Sequence, residues 1–469
     1  MTSWTPDLTD RNGPRYRAIA DALADDIVSG RLPAGMRLPT HRDLAYKLGV
    51  TVGTVTRAYT EAERRGLIGG EVGRGTFVQG TGQRTGAVPV PQSDPFTWAP
   101  QGEPSLVNLT AITLDHHLAA QALGPTLTAI AASGAAGMLE YAPHAGFPAH
   151  RAAGAQWLAR QHRTVASADS VLLTIGAQNA MAVALATVAR PGDVVLTERL
   201  TNYGMKTLAA MEGYHLEGIT IDEFGVVPDA FDSACRRLAP KALYLVPTMH
   251  NPTASVMPKA RRIEIAEIAR RHGVLLVEDD VFGFLLPDAQ PIQAIAPDVT
   301  IYLSSISKSV SAGLRIGYVV APPALVPRAE AVIRALQYSS PPLPAEIATR
   351  WIQDGSADRF AEAQRAEAAL RQQLARSILP GNLVCGHPQA QHMWLLLPEP
   401  WRREDFITEA RRRGVAVTGG DVFAVGRTGT PQAIRLGLCQ PHSADVLARG
   451  LHTLADLLAN PETGMLSIV

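Results

Sequence analysis

In the stretch YRAIADALADDIVSG the apolar residues Ile19, Leu23 and Ile27 recur at four-residue intervals and Gly30 follows, a spacing that predicts an amphipathic helix and its stop. Thr40 is placed to cap HRDLAYKLG, which closes at Gly49, and Thr51 to cap VGTVTRAYTEAERRG, which closes at Gly66. Two short helices joined by a tight turn predict a helix-turn-helix. LIGGEVGRGTFVQG then alternates apolar residues around glycines, the pattern of a two-stranded wing. Periodicity disappears in TGQRTGAVPVPQSDPFTWAPQGEPS, whose prolines predict an extended, semi-stiff linker. The expected organisation is a winged helix-turn-helix over residues 1–80, a linker over 81–104 and a larger body over 105–469.

Beyond the linker, short apolar runs alternate with helical patterns. SVLLT, DVVLTE, ALYLVP, VLLVED, TIYLSS and RIGYVVA read as strands, with helices between the first four. That alternation predicts an α/β fold, a mostly parallel sheet covered by helices. After long helices through residues 344–378, HMWLLLP, REDFITEARRRG, VAVT, AIRLGL and a last helix predict a smaller C-terminal α/β lobe.

Composition narrows the class. With 469 residues, 46% hydrophobic and 18% charged, the chain has the make-up of a soluble multi-domain protein. It holds no charge-free apolar run long enough for a membrane span, and its start, MTSWTPDLTDRNG, lacks a basic stretch followed by an apolar one. The cytoplasm is therefore the expected compartment. Cys235, Cys385 and Cys439 are far apart and odd in number, which argues against a disulfide framework or a CxxC metal site and for buried thiols. Charge balances at 43 basic against 43 acidic, yet residues 31–80 carry eight Lys and Arg against four Asp and Glu. A local excess of that size suits phosphate contacts, and equally a solvated surface.

In a winged helix-turn-helix the second helix of the pair enters the major groove. Thr51, Thr54, Thr56 and Arg57 start that helix, Arg42 starts the one before it, and Arg74 sits in the wing's glycine turn. Hydroxyls and glycines permit close approach while arginine supplies counter-charge. Helix spacing alone fits a small interaction domain just as well. The whole string from Tyr16 to Val78, with its LPTHRDLA and TVTRAY blocks and a wing ending GRGTFV, resembles the GntR-type winged helix. That resemblance implies a double-stranded DNA operator as partner, with Arg42, Thr51, Thr54, Thr56 and Gly73 at the contacts.

Only five lysines occur in the chain, and one lies in SISKSVSAGLRIG. A lysine with a lowered pKa forms Schiff bases, pyridoxal phosphate being the commonest aldehyde partner. A site for that cofactor must hold a phosphate, neutralise a pyridinium, flank a ring and bond its 3'-oxygen. TIGAQNA leaves a strand for a helix, so the N–H groups of Gly176, Ala177 and Gln178 suit the phosphate, with Arg315, Ser305 and Ser307 adding charge and hydroxyls. Asp279 suits the ring nitrogen, Asn251 the 3'-oxygen and Tyr203 the ring face. Taken singly, each fragment is more often an ordinary turn, surface acid or core aromatic.

Their order and intervals resemble those of fold type I aminotransferases over about residues 105–460. By that resemblance Lys308 carries the cofactor, Tyr141 reaches the phosphate of the other subunit, and Arg435 binds the carboxylate of a substrate or effector. Joined to the front segment, the whole resembles the MocR group of GntR-type regulators. This implies a head-to-tail homodimer that senses a small amino compound, or the cofactor itself, through an aldimine at Lys308. One departure stands out: relatives place a tyrosine just after the strand-end Asp, where this chain has Val281 and Phe282. The segment NLTAITLDHH is also unlike its counterparts, and His116 and His117 there read as ordinary polar residues with no ligand spacing around them. An aminotransferase with an accessory DNA-binding domain, or a cofactor-free dimerisation body, are the alternatives.

Overall fold

The computed structural model describes residues 4–8, 14–33, 35–64, 67–71, 75–78, 106–133, 136–426 and 430–460. The chain forms two compact units, Met1–Val88 and Pro89–Val469. In the first, helices Arg15–Val28, His41–Leu48 and Val52–Arg64 precede an antiparallel hairpin of Ile68–Glu71 and Gly75–Val78. The four-residue apolar spacing acts as read: Ile19, Leu23 and Ile27 are buried with Leu44, Val55, Tyr59 and Val78 in one core. Thr40 Oγ1 accepts the Asp43 N–H at 3.2 Å, and Thr51 Oγ1 accepts the Thr54 N–H at the same distance. Thr40→Ala leaves an amide of the helix's first turn without its acceptor, so urea unfolding of the protein is expected to show a loss of about 0.5–2 kcal/mol in this unit. Gly73, Arg74 and the linker at 81–104 lie outside the described residues.

The second unit is built on seven strands in the order Val171–Thr174, Gly317–Val320, Thr300–Ser305, Leu275–Asp279, Ala242–Leu245, Val194–Glu198 and His215–Ile219. Only Gly317–Val320 runs against the others. Helices cover both faces, so the strands are apolar runs rather than alternating ones. Val171 and Leu173 enter a core with Trp157, Tyr302, Phe284 and Trp351, while Leu172 between them enters another with Met181, Leu185, Tyr244 and Val277.

A smaller four-stranded antiparallel sheet follows, ordered Val384–Cys385, His392–Leu396, Ala433–Gly437 and Thr418–Gly419. Its core joins Leu395, Leu436, Phe406 and Leu454, the last two from helices Arg403–Arg412 and Ala444–Ala459. The run VAVT is broken in two: Thr418 belongs to this sheet, whereas Val415–Ala416 pairs in parallel with Val107–Asn108. The long helical region at 344–378 resolves into Pro342–Gln353 and Ser356–Ile378, with a further helix, Val326–Gln337, before them. Cys235 and Cys439 are buried, but Cys385 is only half-buried, because it lies on an edge strand of the small sheet. Among the described residues no helix is long and apolar enough to cross a membrane.

Candidate functional site

Gly176, Asn202, Asn251, Asp279 and Lys308 all follow or end parallel strands at their C-terminal edge, where α/β sheets gather their functional groups. A cavity of about 340 Å³ opens there, lined among others by Ala177, Gln178, Asn251, Asp279, Ser305, Ser307, Lys308, Arg315 and Arg435. Ala111 and Arg435, 324 positions apart in the chain, thus share one space.

Helix Gly176–Val188 starts directly after strand Val171–Thr174, so its first N–H groups have no carbonyl above them. Gly176 has φ +75°, and a Cβ there would stand 2.5 Å from Arg315 Nη2, which places that guanidinium against the turn. Ser305 Oγ accepts the Ser307 N–H at 3.4 Å, and the buried Ser307 Oγ has no hydrogen-bond partner among the described residues. Amides, a guanidinium and an unpaired hydroxyl together make an anion cradle.

Asp279 is held by Tyr244, whose hydroxyl donates to Oδ2 at 2.6 Å, and by the Val281 N–H at 3.3 Å. Burial raises its pKa to about 6, against the pull of those two donors. Lys308 ends the short 3-10 turn Ile306–Lys308, and its Nζ donates to the Ile112 carbonyl. Desolvation, then the charges of Arg435 and Arg315, lower its pKa to about 8. Arg435 is buried, donates from Nη1 to Asn251 Oδ1 at 2.9 Å, and lies 4.9 Å from the centre of the Phe423 ring. With Oδ1 so occupied, the Asn251 amide nitrogen is left to donate.

Two assigned residues stand elsewhere. Tyr203 does not line the cavity; its neighbour Asn202 does, because Tyr203 opens the helix Tyr203–Glu212 that Asn202 caps. Tyr141 is 83% exposed, its ring 4.9 Å from that of Tyr338, and it is absent from the cavity wall. Sequence reading missed Ile112, Met181, Val246 and Ala312 in the wall, and Tyr244 and Phe423 behind it. Apolar core positions carry no local mark of function, so nothing in the sequence singled them out. Val281 and Phe282 do face the cavity, and the Phe282 ring rests against His392 at 5.3 Å. His116 and His117 are exposed at the start of helix His117–Ala132.

In the first unit Arg42, Thr51, Thr56 and Arg57 are exposed and Thr54 is half-buried. The Thr51 and Thr54 hydroxyls are 2.9 Å apart, and Thr56 Oγ1 donates to the Val52 carbonyl and lies 3.3 Å from His41 Nδ1. Arg15 and Tyr16 join Thr51, Gly53, Thr54 and Arg57 around a shallow cleft. His41, Arg15 and Tyr16 went unmarked in the sequence, since their proximity to the second helix of the pair is tertiary.

This sheet order, with a half-buried lysine and a buried strand-end aspartate at one cavity, defines an aminotransferase-type α/β body. The chain belongs to the aminotransferase class I and II family, matched over residues 113–453, and its residues 15–78 match the bacterial regulatory proteins of the gntR family. Relatives align along most of the chain: HTH-type transcriptional regulator YdeF of Bacillus subtilis is 29% identical over 97% of both chains, and YjiR of Escherichia coli is 29% identical over 87% of this chain and 92% of its own. Among solved structures, an archaeal alanine:glyoxylate aminotransferase superposes with a TM-score of 0.71 at 24% identity, covering 76% of this chain and 91% of its own. LysN of Thermus thermophilus, an α-aminoadipate aminotransferase complexed with N-(5'-phosphopyridoxyl)-L-leucine, gives 0.68 at 23%, over 78% and 94%.

Family membership implies pyridoxal phosphate. The residues present fit it: an anion cradle with an unpaired buried hydroxyl, a carboxylate for a pyridinium, and a lysine whose amine is partly neutral at pH 7.

Proposed function

We propose that this protein is a DNA-binding transcriptional regulator that carries pyridoxal phosphate on Lys308 and senses an amino compound, or the cofactor itself, there. The observation behind it is the convergence of Lys308, Asp279, Asn251, Arg315 and Arg435 on one cavity in a chain that begins with a gntR-type segment. Residues 1–80 read DNA, 81–104 link, and 105–469 bind effector and dimerise. When bound, the cofactor would supply an aldehyde, and Lys308 would be the residue that holds it covalently. Gly176, Ala177, Gln178, Arg315, Ser305 and Ser307 hold the phosphate, Asp279 holds the ring-nitrogen proton, and Asn251 donates to the 3'-oxygen. Tyr203, first residue of the helix that the cavity-lining Asn202 caps, is assigned to the ring face. Arg435 takes the effector's carboxylate. The exposed Tyr141 serves the phosphate of a second copy in a head-to-tail homodimer, and the protein works in the cytoplasm. On DNA, Arg42, Thr51, Thr54, Thr56 and Arg57 make the contacts, with Gly73 and Arg74 of the wing.

The pH dependence follows from the lysine. With a pKa near 8, about a tenth of Lys308 amines are neutral at pH 7, against well under a thousandth for an ordinary lysine. Only the neutral amine is nucleophilic, and its fraction grows as pH climbs through the pKa. Cofactor attachment, followed by visible absorbance, is expected to accelerate from pH 7 and level off above about pH 9.

A second reading, an active aminotransferase, draws on the presence of Lys308, Asp279 and Arg435 together. The site weighs against it at Phe282, where no phenol stabilises the 3'-oxygen, an interaction worth roughly 1.5–3 kcal/mol when the acceptor is charged. Phe282→Tyr is expected to shift the absorption titration of the bound cofactor, and an unchanged titration would remove that argument. Gel shifts on the DNA upstream of its own gene, beside multiple-turnover assays with amino and keto acids, separate the readings. Sustained turnover without retarded DNA would sink the regulator.

A further inference from the structure

Residues 106–114 follow the DNA-binding unit and linker in the chain, and they run directly over two of the cavity's three cationic side chains, Lys308 and Arg435. Arg435 Nη2 donates to the Thr110 carbonyl, which also accepts Thr418 Oγ1 at 3.0 Å, and Lys308 Nζ donates to the Ile112 carbonyl. Further bonds fix the same segment to the small lobe: Val107 N to Gly414 O and Leu109 N to Ala416 O, both at 2.8 Å, and Gly437 N to Leu109 O at 2.7 Å. Gln440 Oε1 accepts the Ala111 N–H at 2.5 Å. Packing is close enough that a Cβ on Gly437 would fall 1.8 Å from the Ala111 carbonyl oxygen.

Thr110 and Ile112 are buried, so their carbonyls cannot trade a lost donor for bulk water without movement. Yet the donors are the groups a ligand would engage. An amine that has condensed with a carbonyl carbon and released water keeps at most one N–H, and a guanidinium that turns to a carboxylate gives up geometry elsewhere. Occupancy and the seating of this segment therefore compete.

We propose that residues 106–114 are the element through which the state of the cavity reaches the DNA-binding unit, and that Gln440 is its positioning residue. This rests on the cofactor-carrying, DNA-binding reading above. The test is hydrogen exchange on the full-length protein, with pyridoxal phosphate as probe and DNA affinity measured in parallel. Saturation with the probe is expected to raise exchange at Leu109 and Ala111 by about fivefold or more. Lys308→Ala should show raised exchange without the probe and no response to it. Gln440→Leu should still develop the visible band but respond in DNA affinity by less than about twofold, while Gln440→Glu, which keeps the acceptor, restores the response. A visible band and a DNA response with no change in exchange over 107–114, or Gln440→Leu responding like the unsubstituted protein, overturns the proposal. Absence of any band overturns the cofactor reading and this proposal with it, and the spectrum distinguishes that case from the other two.

Discussion

Lys308→Ala is expected to eliminate all borohydride-trappable pyridoxyl mass and to flatten the dependence of DNA affinity on effector, while DNA binding itself persists. The loss should be complete because the alternatives are few. The other four lysines of the chain are Lys47, Lys206, Lys241 and Lys259, and none lines the cavity. Lys206, the one other with a lowered pKa, spends its Nζ on the Val422 carbonyl at 2.8 Å. An allosteric coupling typically spans about 5- to 150-fold in affinity, and a sensor without its covalent anchor should show none of it. Digestion and mass spectrometry of the reduced protein read the first outcome, and gel shifts with and without pyridoxal phosphate read the second. A variant that still responds would refute the role of the lysine.

Gly176→Ala should weaken cofactor binding by about 10- to 100-fold, the equivalent of one charge-assisted hydrogen bond of roughly 1.5–3 kcal/mol. Two costs act at this position. The backbone sits at φ +75°, which a residue with a Cβ adopts at about 1–2 kcal/mol. The new methyl would also displace the Arg315 guanidinium, whose Nη2 stands 2.5 Å from where it must go. A flexible arginine tip yields easily, so the damage falls on the phosphate rather than on the fold. Spectral titration measures the affinity, and circular dichroism should show a folded protein. Unaltered affinity would mean that the cradle does not hold the phosphate.

Much of this was legible in the chain because the signals were local. Thr40 and Ile19, Leu23 and Ile27 announced the first unit through spacing and capping alone, and the six apolar runs foretold six strands of the large sheet. The strand His215–Ile219 was missed because HLEGI has neither an unbroken apolar run nor a clean alternation. Helix Pro148–His162 was missed for a related reason: it buries His150, Gln161 and His162 as well as Trp157, so its polar positions do not mark a solvent face. His150 bonds Glu346 at 3.1 Å and His162 bonds Asp280 at 3.1 Å, partners that only the fold supplies. The same limit applies at the cavity. Lys308, Asp279 and Arg435 stood out by residue type, whereas the seat of Lys308 on the Ile112 carbonyl spans 196 positions and no pattern within a window could reveal it.

The acidic run that ends strand Leu275–Asp279 holds a last consequence. Glu278, Asp279 and Asp280 are all buried. Glu278 meets Arg262 at 3.7 Å and two backbone amides, and Asp280 meets His162 and Tyr302, but among the described residues Asp279 receives only the Tyr244 hydroxyl and one backbone N–H. Burial pushes Glu278 up to about 7 and Asp279 up to about 6, with Asp280 adding repulsion to both. A cation lodged at Asp279 relieves that crowding, and whatever binds the native state alone stabilises it by mass action. Vitamin scarcity would then shorten the lifetime of the polypeptide in the cell, so that the amount of regulator, and not only its grip on a promoter, would track the supply of the coenzyme.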